Sequence, residues 1–321
     1  MSLYTKINGI NKDVSRIFLG TGFLPNLEDY DAWLTGILDT GVNAIDTARI
    51  YPDSEKTIGK WLDKTGVRDK VVLLSKCGHP DGATKRVNHE AMMSDLQKSL
   101  EELRVDYIDI YILHRDDPTT EVAEIVETFN EMKERGSIGV FGGSNWTYKR
   151  IQEANEYAYK KNLAPFSVSS PGFSLADQLG DVWDDTCVTL TGQRGQQDRK
   201  WYQNSQMPVI AYSSLAHGMF SGKMKSTDMD HANDFLDMFA LRGYAFPENF
   251  ERLRRCELLA KEKQATVSQI ALAWIFRQSM NMFAVVSTSS TDRMKKNIEA
   301  LEIPLSDQEC EFLNLERNIE K

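Results

Sequence analysis

Four side chains frame the chemical question: Asp46, Tyr51, Lys76 and His114, an acid, a phenol, an ammonium and an imidazole. A tyrosine hydroxyl, with an ordinary pKa of about 10, is a poor acid at neutral pH unless a neighbouring cation stabilises its phenolate. Lys76 can supply that charge. A buried ammonium needs its own counter-ion, which Asp46 can provide. A neutral, donating His114 can hydrogen-bond a carbonyl oxygen and stabilise the charge that develops there during reduction. Taken singly, each has an ordinary explanation: a turn acid, a strand-end lysine, a satisfied core histidine, a tyrosine at the core edge. Their joint placement argues otherwise, because Asp46, Lys76 and His114 each end one of three consecutive predicted strands, and Tyr51 follows Asp46 by a short loop.

The elements that must position them alternate along the chain. Short apolar or β-branched runs predict strands at 17–20, 43–46, 71–76, 107–114, 138–143, 165–170, 208–213 and 283–288. Helical periodicity lies between them. Met92, Leu96, Leu100 and Leu103 follow the N-cap Asn88, and Val122, Ile125, Val126, Phe129 and Met132 run to a stop at Gly136. Further helices are predicted around 147–160, 249–262, 266–278 and 290–300. This βα alternation predicts one α/β domain over 1–321, a (β/α)8 TIM barrel with catalytic residues at the C-terminal ends of its strands. Two long connections, 175–206 and 216–247, are expected to lie over that face.

Composition narrows the partners. A balance of 38 basic against 47 acidic residues, net -9, disfavours a nucleic-acid surface, while a local pocket can still take an anionic nucleotide. Cys77, Cys187, Cys256 and Cys310 have neither redox nor zinc spacing, so no metal site is expected and the thiols are read as reduced. The amino-terminal stretch lacks the basic-then-apolar order of a secretory signal, and no apolar run approaches membrane-spanning length; a cytoplasmic protein without a membrane partner is expected. Oligomeric state is not legible.

The motifs carry a resemblance. GVNAIDTARIY-x-x-SEKTIGKWL (41–62), LLSKCG (73–78) and YILHRDDP (111–118), in that order, resemble the aldo-keto reductases, and the similarity runs from LGTGF (19–23) to NIEAL (297–301). The resemblance implies that Tyr51 is the general acid of a carbonyl reduction, that Lys76 lowers its pKa, that Asp46 supports Lys76, and that His114 orients a small-molecule carbonyl substrate. It also implies NADPH as cofactor.

No G-x-G-x-x-G follows a strand, and Gly20-Thr21-Gly22 is by itself weak evidence for a phosphate loop. The resemblance places the nicotinamide carboxamide at Ser144 and Asn145. It puts Phe173 beneath the ring, with Ser170 where a Gln is usual. It runs the pyrophosphate along Tyr212, Ser213, Leu215, Gly218 and Lys223. From the residues alone, hydroxyls and free N–H groups at the start of the last predicted helix, Thr288 and Ser289 among them, form an anion site to which Arg293 adds charge. The resemblance makes this the seat of the 2′-phosphate and puts Asn297 at the adenine. The chain departs from the family pattern at Val286 and Ser287, which replace Pro-Gly, and at Lys296, which replaces a Glu. Phe23, Ile50, Trp146 and the 216–247 segment are expected around an apolar substrate pocket. Two rivals remain open at this point: a cofactor-holding regulatory subunit on the same fold, and a barrel lyase using Lys76 as a Schiff base.

Overall fold

A computed structural model describes residues 1–183 and 186–317. Eight parallel strands close into a barrel: β3 (Ile17–Gly20), β4 (Ala44–Asp46), β5 (Val72–Cys77), β6 (Ile108–Leu113), β7 (Ile138–Ser144), β8 (Val168–Ser170), β9 (Val209–Ala211) and β10 (Met282–Val286), which pairs with both β9 and β3. The expected (β/α)8 architecture is therefore the observed one. Before it comes an antiparallel pair, β1 (Tyr4–Thr5) and β2 (Val14–Ser15). Side chains alternate across each strand, so every second residue faces the barrel axis. Phe18, Ala44, Val72, Leu74, Ile110, Ile112, Val140, Val168, Ile210 and Phe283 form this inner core, capped by Ile7, Ile10 and Val14 of the amino-terminal hairpin. The hairpin covers the N-terminal ends of the strands: Lys12 Nζ donates to Val71 O at 2.7 Å and pairs with Asp109 at 2.8 Å.

Outside the barrel run α1 (Tyr30–Asp39), α2 (Ser54–Thr65), α3 (His89–Leu103), α4 (Val122–Glu134), α5 (Tyr148–Lys160), α6 (Gln196–Ser205), α7 (Met238–Tyr244), α8 (Pro247–Glu262), α9 (Val267–Phe276), α10 (Thr291–Glu299) and α11 (Asp307–Leu313). Asn88 caps α3, its side chain accepting from Ala91 N at 2.9 Å, and Gly136 takes φ 73° just beyond α4. The sequence reading stops short of α1, α2, α6, α7 and α11, and it draws several strands too long. The predicted run 165–170 is strand only from Val168, and 208–213 only from Val209 to Ala211. At the first residue of each run the reason is local: Pro165 and Pro208 have no N–H to give a ladder. The long connections contain α6 and α7, so they are partly helical.

Candidate active site

The inner face of the barrel delivers the chemistry. Asp46 shares its side with Ala44, Lys76 with Val72 and Leu74, and His114, one residue past β6, with Ile110 and Ile112. Where this face reaches the C-terminal ends of the strands, apolar side chains give way to ionisable ones. Lys76 Nζ donates to Asp46 Oδ2 at 2.7 Å and to Thr47 O at 2.9 Å, with both side chains buried. The same ammonium lies 5.0 Å from the centroid of the Tyr51 ring, and the Tyr51 and His114 rings meet edge to face at 5.6 Å.

The loop bearing Tyr51 is tied down on all sides. Arg49 N donates to Lys76 O at 3.0 Å, and the Arg49 guanidinium binds buried Glu55 and, at 2.6 and 3.0 Å, Glu102 of α3. Ser75 Oγ donates to Glu55 Oε1 at 2.6 Å. Gly22 lies against the phenol: a Cβ there would stand 3.3 Å from Tyr51 Cζ. Fixed supports of this kind hold a reacting group in one geometry.

Electrostatics assign protonation states. Burial alone would push the Lys76 ammonium toward neutrality, but its charged surroundings, the Asp46 carboxylate first among them, outweigh it and hold the lysine pKa above its ordinary value. Burial raises the Tyr51 pKa; Lys76 pulls it down without winning, and Asp46 adds to the rise. The sequence expectation that Lys76 lowers the phenol's pKa is therefore met in the sign of its influence and not in the net result, because desolvation is the larger effect. Tyr51 keeps its proton at neutral pH. Burial, then Lys76, Arg115 and His79, depress the His114 pKa far below the ordinary range, so its ring is neutral. Among the described residues, buried Nδ1 of His114 has no hydrogen-bond partner.

These groups sit at the wall of a cavity of about 1220 Å³, larger than the roughly 300–1,000 Å³ usual for one ligand. Asp46, Tyr51, Lys76 and His114 line it, and so do Gly20, Gly22, Ser144, Asn145, Tyr212, Ser213, Leu215, Gly218, Lys223, Thr288, Arg293 and Asn297. Asn145, at φ 61°, accepts from Tyr212 OH at 2.7 Å and donates to His114 O at 3.2 Å, so it joins three strand ends. Among the described residues no cluster of three or more His, Cys, Asp and Glu could hold a metal ion.

A family model described as the aldo/keto reductase family matches residues 16–314. The chain belongs to the aldo/keto reductase family. It is 28% identical over 268 residues to aldo-keto reductase str7 of Strobilurus tenacellus, covering 82% of this chain and 74% of that protein. It is 25% identical over 305 residues to a Schizosaccharomyces pombe protein named for a voltage-gated potassium channel subunit beta, covering 90% and 85%. A solved thermostable aldo-keto reductase in complex with the inhibitor epalrestat shares the fold, with TM-score 0.71 and 21% identity over 98% of this chain and 99% of that one. This aldo/keto reductase is accordingly an NAD(P)H-dependent oxidoreductase acting on carbonyl and alcohol groups. None of its helices, among the described residues, is long and apolar enough to cross a membrane.

Four of the expected cofactor residues stand off the cavity wall. Thr21 is buried behind it, donating to Asp46 O at 2.8 Å and accepting from Ser54 Oγ at 2.7 Å, which makes it a support for the acid. Ser170 is buried with its hydroxyl donating to Ile210 O at 2.8 Å. Phe173 turns away past the end of β8 and stacks on Trp274 of α9, with centroids 5.2 Å apart. Tyr212, on the inner face just past β9, is an aromatic that does line the wall. Ser289 points outward beside Thr288, whose carbonyl accepts from Trp33 Nε1 at 3.0 Å. Trp146 is also off the wall, wholly buried against Phe166. Trp183 lines the cavity instead, and the lining also includes His79 and Arg115, which the sequence reading passed over, together with His217 of the 216–247 segment and Lys296. Position relative to the strand ends signalled His79 and Arg115; His217 and Trp183 fall in the long connections expected over this face, with no periodicity to single them out.

Proposed function

We propose that the chain reduces an aldehyde or ketone to an alcohol with NADPH, Tyr51 giving the proton to oxygen. Bound NADPH would supply the hydride. The reading rests on one arrangement: a protonated phenol beside an ammonium that a buried carboxylate holds charged at 2.7 Å, with a neutral imidazole edge-on at 5.6 Å. As the carbonyl oxygen gains electrons, Tyr51 donates its proton and Lys76 stabilises the phenolate left behind. Asp46 keeps Lys76 charged and aimed. His114 orients the carbonyl oxygen. Ser144, Asn145 and Tyr212 are assigned to the nicotinamide end; Gly20, Gly22, Ser213, Leu215, Gly218 and Lys223 to the middle of the cofactor; Thr288, Arg293 and Asn297 to its adenosine end. Among the described residues Arg293 and Lys296 of α10 are paired with no carboxylate, so one helix brings two cations to the cavity wall for a phosphate, which supports NADPH over NADH.

Tyr51→Phe tests the assignment. Turnover is expected to fall by at least about a hundredfold, within the usual contribution of general acid catalysis, while cofactor affinity persists. Unchanged turnover would exclude Tyr51 as the acid. A Schiff-base lyase is disfavoured because it needs an unprotonated lysine, and Asp46 holds Lys76 charged. A cofactor-holding regulatory subunit is the second reading, supported by the likeness to the protein named for a channel subunit. Steady-state NADPH consumption with a panel of aldehydes separates the two.

A further inference from the structure

His114 lacks the anchor its role would ordinarily require. A histidine that must present one chosen nitrogen is usually fixed through the other, by a hydrogen bond to a carboxylate or a backbone carbonyl. Among the described residues, buried Nδ1 of His114 has no such partner. The ring is neutral, so no ion pair holds it either. A half-turn about the Cβ–Cγ bond would therefore break no hydrogen bond at Nδ1. It would nevertheless set Cε1 where Nε2 had stood and leave a carbonyl oxygen facing carbon.

What meets the ring instead is two other rings. Tyr51 lies edge to face with it, and so does His79, with centroids 4.9 Å apart and planes at 73°. This is a geometry that aromatic pairs prefer, and a close neighbour at the ring edge blocks rotation by contact alone. His79 is well seated for that task. Its Nδ1 lies 2.8 Å from Pro80 O, and because a carbonyl only accepts, Nδ1 carries a proton and donates it there. Gly78, at φ 70°, leads the chain from β5 to this place, its amide donating to buried Asp95 Oδ2 of α3 at 3.0 Å, while Arg86 binds the other oxygen of that carboxylate. A Cβ at position 78 would stand 2.6 Å from Leu113 Cδ2, in the residue just before His114. His79 is half-buried on the cavity wall, and carbonyl reduction by Tyr51, Lys76 and His114 gives it no proton to move.

We propose that His79 is a positioning residue for His114: its ring, not its charge or its donating nitrogen, keeps the His114 imidazole from turning and so keeps Nε2 available to the substrate carbonyl. This rests on the carbonyl-reductase reading, in which His114 orients that oxygen. It names what holds the orienting group still.

The test measures benzaldehyde reduction with NADPH in the parent chain and in His79→Ala, His79→Asn and His79→Phe. Asn keeps a side-chain amide that can donate to Pro80 O and loses the ring; Phe keeps a ring and loses the donor. Because misplacing a reacting group by about 1 Å can cost about a hundredfold, kcat is expected to fall at least about tenfold in His79→Ala and His79→Asn, with KM for NADPH unchanged. His79→Phe is expected to restore kcat to within about threefold of the parent. In a His114→Gln background, His79→Ala is expected to cost nothing further, as befits a residue that acts through another. Full activity in His79→Ala, rescue by Asn and not by Phe, or a loss that adds to that of His114→Gln would each overturn the proposal. Thermal unfolding identifies any variant that fails to fold, and His79→Asn carries the comparison should His79→Ala do so. Nitrogen NMR of the NADP-loaded protein, isotope-labelled at its histidines, reads the ring without turnover. The His114 signal, identified by its loss in His114→Gln, is expected to show a single tautomer protonated at Nε2 in the parent and in His79→Phe, and an averaged or broadened one in His79→Ala. That pattern in a chain that reduces no carbonyl would sink the reductase reading and keep the packing role; a His114 signal unchanged in His79→Ala would sink the packing role.

Discussion

Lys76 is the residue at which folding and chemistry are most closely joined. Its removal in Lys76→Met leaves the Asp46 carboxylate 4% exposed with its cation gone. Stranding one member of a buried pair costs about 3–5 kcal/mol, whereas replacing both by neutral groups is far milder. Urea denaturation is therefore expected to show Lys76→Met strongly destabilised and Asp46→Asn/Lys76→Met substantially recovered. A single variant as stable as the parent would mean that Asp46 carries no charge. The placement of the catalytic candidates was legible because Asp46, Lys76 and His114 stand at strand ends, with Tyr51 a short loop beyond the first, and the period-two alternation of Val72, Leu74 and Lys76, or of Ile110, Ile112 and His114, shows that these ends share the inner face. Phe173 was misplaced for the complementary reason. β8 stops at Ser170, so alternation no longer says which way a side chain three residues later points. Trp183 lies in a connection with no periodicity at all, and only the folded loop brings it against Phe23.

At the scale of elements, the helices transmit order to the site. Helix α2 crosses α3 so closely at Gly59 that a Cβ there would stand 2.1 Å from Glu102 O, which no rotamer change can relieve. Gly59→Ala is expected to cost about 1–3 kcal/mol by overpacking and, by displacing Glu102, to loosen Arg49 beside the Tyr51 loop. Denaturant midpoints check the first effect and kcat the second; a neutral substitution would show that the helices can part freely. Helix α2 escaped the sequence reading because it buries Ser54, Glu55 and Gly59 along with Ile58, Trp61 and Leu62, so its inner face is not apolar in sequence. On the proposed reading, helix α10 bears on the cofactor. Arg293 and Lys296, one turn apart, both reach the cavity, and on the proposed reading they face the 2′-phosphate. Arg293→Ala and Lys296→Gln are each expected to weaken NADPH about tenfold in fluorescence titrations and to leave NADH nearly untouched. Equal loss for both nucleotides would place these cations elsewhere on the cofactor.

For the whole molecule, eight strand runs alternating with helical stretches were enough to read a closed barrel, since repeated right-handed crossovers leave little other choice. The hairpin that caps its lower end was not legible, because Tyr4–Thr5 and Val14–Ser15 are too short to stand out and pair only once the barrel gives Ile7, Ile10 and Val14 somewhere to bury. The two ends of the barrel thus differ in kind: one is packed apolar core, the other a cavity edged by strained backbone. Ser213 and His217 at the cavity edge, and buried Ala216 between them, hold positive φ, 54°, 51° and 49°, a conformation that costs a residue with a side chain roughly 1–2 kcal/mol. Strained segments at a binding site are drawn from the least stable parts of a fold. A nucleotide spanning from this loop to α10 stabilises the native state by about 2.7 kcal/mol at a hundred times its Kd. The gain should fall unevenly. Hydrogen exchange with saturating NADPH is expected to slow most at 213–223 and 288–297, with little change around Ile7 to Val14. Protection concentrated at the hairpin end, or none at 213–223, would mean that the nucleotide does not lie across the strand ends where Tyr51 and Lys76 meet.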